Sequence, residues 1–235
     1  NGIAFVPQTI NFAIQLTKIR LIMKTNSQIR SLASESINGS WGKSAWIFFL
    51  VSLISGLCSA VSGDMENPVM VTLSMVAAIF IGWPISFGFT MTMLWLARDG
   101  KRPEVSGMGS ALNGQYYLKC IGLYLLIGIF TFLWTLLLII PGIIKSISYS
   151  MAPYILAENP EIGCLEAISR SQKMMYGYKW QYFFMSLGCL GWIILSIFTL
   201  FIGSMWIVPY YEVAYSHFYL EVKKEYEACL LYTSD

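Results

Sequence analysis

Charged residues are scarce in this sequence: lysine, arginine, aspartate and glutamate make up only 12% of its 235 residues. Soluble domains carry about 25%. Hydrophobic residues make up 56%, and the mean hydropathy is +0.61. A soluble domain of this size cannot bury so much apolar surface in one core, so we exclude a soluble globular protein and expect a membrane protein. The net charge of +2 is too small to indicate a nucleic-acid partner.

The sequence also lacks the residue patterns that carry catalysis or bind metals. His217 is the one histidine, and the five cysteines show no CxxC or other paired spacing. There is no phosphate-binding loop, no GxSxG elbow and no HExxH motif. A lone histidine beside Tyr215 and Tyr219 fits an interfacial residue better than a metal ligand. We therefore expect no enzymatic activity, no metal site and no cofactor.

Long apolar runs are what the sequence has in abundance. About 20 helical residues, at 1.5 Å each, cross a hydrocarbon core of about 30 Å. In the central stretch, Leu118–Glu158, two apolar runs flank Pro141 and Gly142, and this pair predicts a tight turn between two membrane helices. We predict an all-α polytopic membrane bundle of six transmembrane helices, arranged as three hairpins with amphipathic interfacial helices. The predicted spans are about 44–62, 68–97, 118–140, 142–157, 181–201 and 205–220, with a kink in the second at Gly82-Trp83-Pro84.

The spans predict a single membrane domain over residues 23–227. Residues 1–22 have neither the basic start nor the clean apolar block of a signal peptide, and Met23 resembles a natural start. We therefore predict that 1–22 is a non-native or disordered extension. Residues 228–235 are likewise predicted to be a non-native tail.

Basic residues fall on one side of the predicted bundle. They precede the first span, separate the second from the third and the fourth from the fifth, and follow the sixth; Lys145 is the exception. The opposite loops hold Asp64 and Glu66. Because lysine and arginine concentrate in cytoplasmic loops, we predict a multi-pass protein with both termini in the cytoplasm.

Short polar segments precede each predicted hairpin. In the first, Thr25–Ile37, the apolar residues share one helical face, and Asn26 or Ser27 is expected to cap the helix. This pattern predicts a helix on the membrane surface, a short soluble helix being the alternative. Similar segments at 98–115 and 159–176 are also followed by glycine, an aromatic residue and lysine. The order indicates a threefold repeat about an axis along the membrane normal, with chance similarity among apolar segments as the alternative.

Two charged residues fall well inside the predicted spans, Lys145 on the fourth and Glu212 on the sixth. A lone charge there costs several kcal/mol, and a hydrogen-bonded pair offsets much of that. We predict that the two meet, or are bridged by Tyr149, Tyr210, Tyr211 or water, as an intramembrane polar binding cluster. The pair would act as a clasp between the second and third hairpins or as a transport site. Snorkelling of Lys145 to the outer interface is the competing interpretation.

A distinctive block occupies the middle of the chain and reads IIPGIIKSISYSMAPYILAENPEIGCLEAISRSQKMMYGYKW (Ile139–Trp180). It is similar to the signature of an uncharacterised bacterial integral-membrane family, domain of unknown function 975. The segments Asn38–Trp46, Leu96–Val105 and Val208–Tyr219 fit that family in the same order, so the resemblance covers about Met23 to Lys224. It implies a multi-span protein of the bacterial cytoplasmic membrane, and it implies no known reaction, substrate or cofactor.

Two classes of function remain open. The first is a non-catalytic membrane factor that organises anionic lipid headgroups or partner membrane proteins, including copies of itself, through its basic surface segments. The second is a small transporter or channel with a polar site around Lys145 and Glu212. Small size, few buried charges and short external loops favour the first, and intramembrane polar clusters favour the second.

Overall fold

The fold is α-helical throughout the described part of the chain. The computed structural model describes residues 23–60, 67–199 and 201–233, and these ranges contain no β-strand. The predicted extension 1–22 and the loop residues Asp64 and Glu66 lie outside the described residues. The α-helices are α1 (Asn26–Ile37), α2 (Trp41–Ala60), α3 (Pro68–Ala77), α4 (Trp83–Asp99), α5 (Val105–Gly109), α6 (Gly114–Leu137), α7 (Ile139–Tyr149), α8 (Ala152–Glu158), α9 (Cys164–Met174), α10 (Lys179–Ser196) and α11 (Ser204–Thr233).

Five helical segments are long and apolar enough to cross a membrane. These are Trp41–Ala60, Pro68–Asp99, Gly114–Leu137, Ile139–Glu158 and Lys179–Thr199. They coincide with the first five predicted spans to within a few residues, which confirms those spans as apolar helices of sufficient length. The sixth predicted span lies in α11, which is helical but is not among the five, because it carries Glu212, His217 and a charged second half. A crossing by α11 stays a prediction, as does the non-native origin of the tail that α11 enters.

The turn predicted at Pro141 and Gly142 is wrong: both residues lie in the first turn of α7. The chain instead reverses at Leu138, whose backbone is extended (φ −160°, ψ 138°). Proline is tolerated in the first turn of a helix because the N–H it lacks has no intrahelical acceptor there. The glycine serves close packing, since a Cβ on Gly142 would lie 2.3 Å from Thr135 Oγ1 and 2.8 Å from Thr135 Cα on α6.

The predicted kink at Pro84 takes the form of a wide helical turn. Residues Ala78–Gly82 are π-helical and join α3 to α4 without a break. Proline has no N–H to donate to the carbonyl of Phe80 four residues earlier. The Tyr117 hydroxyl of α6 donates to that carbonyl at 2.9 Å. The carbonyl therefore has a partner, as backbone in a hydrocarbon environment requires.

The centre of the bundle is formed by α4, α8 and α11, which we call the inner helices. Most residues of α4 and α8 are buried, and so are Val213, Ala214 and Phe218 of α11. In contrast, α2, α6 and α10 expose many large apolar side chains, such as Leu57 and Leu136. This arrangement fits helices whose outer faces contact lipid, because burial against protein accounts for few of their apolar residues.

Each short polar segment packs on an inner helix: α1 on α11 and α4, α5 on α4, and α9 on α8. The apolar face of α1, formed by Ile29, Ala33 and Ile37, is fully buried. This face therefore contacts protein, whereas the sequence predicted contact with the membrane surface. The cap of α1 is Thr25, which forms a capping box with Gln28, and not Asn26 or Ser27.

The close approach of α6 and α7 yields the first testable prediction. Gly142→Ala is expected to destabilise the protein by about 1–3 kcal/mol, because the added methyl group collides with Thr135. The matched control is Gly128→Ala on α6, where a Cβ meets nothing within 4 Å. Removing a helical glycine there is expected to be neutral or to stabilise by up to about 1 kcal/mol. Thermal unfolding in detergent measures both, and equal effects would contradict the packing described.

Candidate functional site

The inner helices hold two layers of polar residues, and the first is centred on Glu212 of α11. Its Oε1 accepts hydrogen bonds from Thr90 Oγ1 of α4 at 2.8 Å and from Tyr154 Oη of α8 at 3.0 Å. No ion pair joins Glu212 to a basic side chain anywhere in the described ranges. The layer is thus one carboxylate held by hydroxyl groups from two neighbouring helices.

The second layer is centred on Glu158, at the end of α8, whose side chain is only 5% exposed. Its Oε1 accepts from Arg98 Nη1 at 3.2 Å, and its Oε2 accepts from Lys223 Nζ at 2.5 Å and from Tyr219 Oη at 2.6 Å. Arg98 ends α4 and Lys223 lies on α11, so one acid joins all three inner helices. The rings of Tyr154 and Tyr219 stack at 5.4 Å and connect the two layers.

Sequence reasoning missed the Glu158 layer, although proline spacing contains part of a signal for it. Arg98 and Lys223 follow Pro84 and Pro209 by the same number of residues. Glu158 does not follow Pro141 at that spacing, so its place between the two bases is known only from the structure.

The predicted pairing of Lys145 with Glu212 is corrected by the structure. Lys145 is half-buried, its Nζ lies 4.8 Å from the ring centroid of Trp134, and it forms no ion pair with any described residue. The helical segment that follows the chain reversal at Leu138 is interrupted at Ser150 and Met151, between α7 and α8. As a result α8 presents Tyr154 to Glu212, whereas α7 places Lys145 beside α6.

The three predicted tyrosines have separate surroundings. Tyr149 is buried with its ring 6.3 Å from that of Phe130. Tyr210 donates to the backbone carbonyl of Arg30 at 3.1 Å and stacks on Trp41. Tyr211 is buried with its ring against that of Tyr210. None of these hydroxyl groups bridges Lys145 to Glu212 among the described residues, so the predicted five-residue cluster is not a single site.

A polar cavity of about 370 Å³ lies at the loop between α4 and α5, and we call it the loop cavity. Two exposed cations line it, Lys101 and Arg102, together with Ser106. Lys101 Nζ lies 3.5 Å from Asp99 Oδ2, and no described acid forms an ion pair with Arg102. Glu104 also lines the loop cavity, and its Oε2 accepts from Ser106 Oγ at 3.1 Å. The cation there that has no ion-paired acid among the described residues is Arg102, and a guanidinium is suited to bind phosphate groups.

The described residues contain no group of three or more histidine, cysteine or acidic side chains placed to hold a metal ion. His217 Nε2 lies 2.8 Å from Ser36 Oγ, and this hydrogen bond joins α11 to α1. Cys58, Cys120, Cys164 and Cys189 are free thiols.

The Glu158 layer yields the second prediction. Glu158→Gln removes the negative charge between Arg98 and Lys223, and we expect a loss of about 2 kcal/mol of stability, since hydrogen bonds to charged groups are worth about 1.5–3 kcal/mol. The control is Glu166→Gln, which breaks an exposed pair with Arg170 four residues away on α9 and should cost at most about 0.5 kcal/mol. Equal melting temperatures for the two variants would show that the layer contributes no more than a surface pair.

Comparison with known proteins assigns the chain to a family. The family model described as "Protein of unknown function (DUF975)" matches residues 23–148 and 135–226. Neither the curated proteins nor the solved structures give a match. Those two matched ranges cover most of the sequence, and the chain therefore belongs to the DUF975 family.

Proposed function

We propose that this protein is a non-catalytic membrane protein that gathers anionic lipid headgroups at its cytoplasmic face. The observation that carries the proposal is the loop cavity, where Lys101 and Arg102 are exposed and Arg102 has no ion-paired acid among the described residues, while Glu104 is engaged by Ser106. Arginine binds phosphate oxygens through paired N–H groups, and each basic residue near an anionic surface contributes about 1 kcal/mol.

The proposal includes six spans arranged as three hairpins, with both termini in the cytoplasm. Each hairpin has an outgoing helix (α2, α6 or α10) and a returning one (α3–α4, α7–α8 or α11), and a short polar segment precedes it. Each polar segment packs on the returning helix of the hairpin before it: α5 on α4, α9 on α8 and, closing the circle, α1 on α11. Each outgoing helix contacts the returning helix of its own hairpin and that of the hairpin before it. Such cyclic contacts are expected of three like-oriented hairpins around one axis. The basic residues then share the cytoplasmic side, in the bacterial cytoplasmic membrane that the family resemblance implies.

Topology can be tested by labelling. Single cysteines at positions 101, 173 and 224, in a chain without its own cysteines, are expected to react with an impermeant maleimide only after the cells are permeabilised. The first two positions follow an even number of the confirmed apolar helices and serve as controls for position 224. Labelling of position 224 in intact cells, with 101 protected, would show that α11 does not cross.

Headgroup binding can be tested on the purified chain. Lys101→Gln/Arg102→Gln is expected to weaken the thermal stabilisation by short-chain phosphatidylglycerol at least tenfold in lipid concentration, because two charge contacts of about 1 kcal/mol are removed. Lys119, on α6, is left in place because it donates to the Pro160 carbonyl.

The control for that experiment removes the same charge elsewhere, with Lys43→Gln/Lys224→Gln, and should have a smaller effect. Equal responses of both double variants, or equal responses to phosphatidylglycerol and phosphatidylcholine, would refute headgroup binding in the loop cavity.

Transport is the second candidate function, and the Glu212 layer favours it. A carboxylate held by two hydroxyl groups, without a described basic partner, is suited to bind a cation or a proton-carrying solute. A thermal-shift screen against monovalent cations and small solutes discriminates between the candidates. Stabilisation of the parent that disappears in Glu212→Gln would favour transport over lipid organisation.

A further inference from the structure

A groove of about 480 Å³ opens between α1, α2, α10 and α11, well apart from the loop cavity, and we call it the aromatic groove. It is lined by aromatic side chains from three helices and by one cation, Arg30 of α1. Arg30 sits on the exposed face of α1, opposite the buried face formed by Ile29, Ala33 and Ile37.

The guanidinium of Arg30 lies against the middle of α10. A Cβ on Gly188 would be 3.9 Å from Arg30 Nη1 and 3.3 Å from Tyr211 Oη, so the missing side chain at Gly188 makes room for both groups. The guanidinium therefore lies beside α10, close to the Tyr211 hydroxyl of α11.

No described acid forms an ion pair with Arg30, in contrast to Lys24, Arg98 and Lys223. Lys24, just before the same helix, pairs with Glu221 at 2.7 Å, while Arg98 and Lys223 share Glu158. A cation beside apolar side chains is stabilised when an anion or water accompanies it. The groove thus has a cation for which the described part of the protein supplies no counter-charge.

The rest of the aromatic groove is apolar and open. Trp192 of α10 is 53% exposed and Trp206 of α11 is 46% exposed, with Ile207 beside them. Trp41 closes one side by stacking on Tyr210, at 6.1 Å between ring centroids. A ligand that fits has an anionic head at Arg30 and an apolar chain along the two tryptophans.

We infer that the aromatic groove binds one anionic phospholipid, with its phosphate on the Arg30 guanidinium and an acyl chain against Trp192 and Trp206. Charge selects the ligand, because arginine pairs with phosphate through two parallel hydrogen bonds and a zwitterionic lipid brings its own cation. The bilayer around the outer helices supplies that ligand directly. The inference extends the proposed function by a second lipid site, but it uses residues that the loop cavity does not share.

The test is to count and weigh bound lipids by native mass spectrometry of the delipidated full chain, titrated with dioleoyl phosphatidylglycerol or dioleoyl phosphatidylcholine. Arg30→Gln is expected to lose one tightly bound phosphatidylglycerol, with binding about tenfold weaker, since a charge-assisted hydrogen bond is worth about that factor. Lys43→Gln removes the same charge outside the groove and should keep that lipid. Phosphatidylcholine binding should be unchanged in both.

Two further variants make the outcome decisive. Trp192→Ala leaves the charge in place but removes part of the apolar wall. It is expected to weaken the binding of the same lipid without changing the number of lipids bound in the loop cavity. Lys101→Gln/Arg102→Gln should retain the groove lipid even where loop binding is lost, so failure of one site is distinguishable from failure of the other. An unchanged phosphatidylglycerol affinity in both Arg30→Gln and Trp192→Ala overturns the inference, as does equal affinity of the parent for the two lipids.

Discussion

The burial of one carboxylate between two cations is the interaction on which the arrangement of the inner helices depends. Removing Glu158 from water carries a desolvation cost that only good geometry with several donors offsets. Arg98, Tyr219 and Lys223 supply those donors, and they come from α4 and α11. The three helices must therefore bring these positions to the same level and face one another, because a shift of one turn in any of them would separate Glu158 from a donor.

The Glu212 layer obeys a weaker constraint. Its donors are hydroxyl groups, and the structure describes no cation that neutralises it. A hydroxyl donor holds a carboxylate with less energy than a cation does, so this layer can change its occupancy without breaking the bundle. The Glu158 layer is therefore expected to contribute more stability than the Glu212 layer. The stacked rings of Tyr154 and Tyr219 make the two layers mechanically dependent.

Much of the helical architecture follows from the sequence, because runs of apolar residues have few alternatives in a membrane. The five apolar helices were predicted to within a few residues, since their composition alone determines them. The turn was misplaced because Pro141 and Gly142 signal both a turn and the start of a helix, and tertiary packing against Thr135 decides between them. The predicted pairing of Lys145 with Glu212 was wrong for a similar reason. The position of a residue along a helix can be read from the sequence, but the interruption at Ser150 and Met151, which changes the direction in which α7 and α8 present their side chains, cannot. The Glu158 layer was missed because Glu158 does not share the spacing from proline that Arg98 and Lys223 have, so no sequence pattern places the acid between the two bases.

The length of α11 has a consequence of its own. Its 30 residues extend about 45 Å, while a hydrocarbon core is about 30 Å thick. The part after Lys223 nevertheless stays against the bundle: the Tyr178 hydroxyl, from the segment between α9 and α10, donates to the buried Glu225, and Tyr226 packs on the core. One continuous helix therefore carries the Glu212 layer, a cation of the Glu158 layer and the contact with Tyr178, so these three contacts fix its position along its own axis.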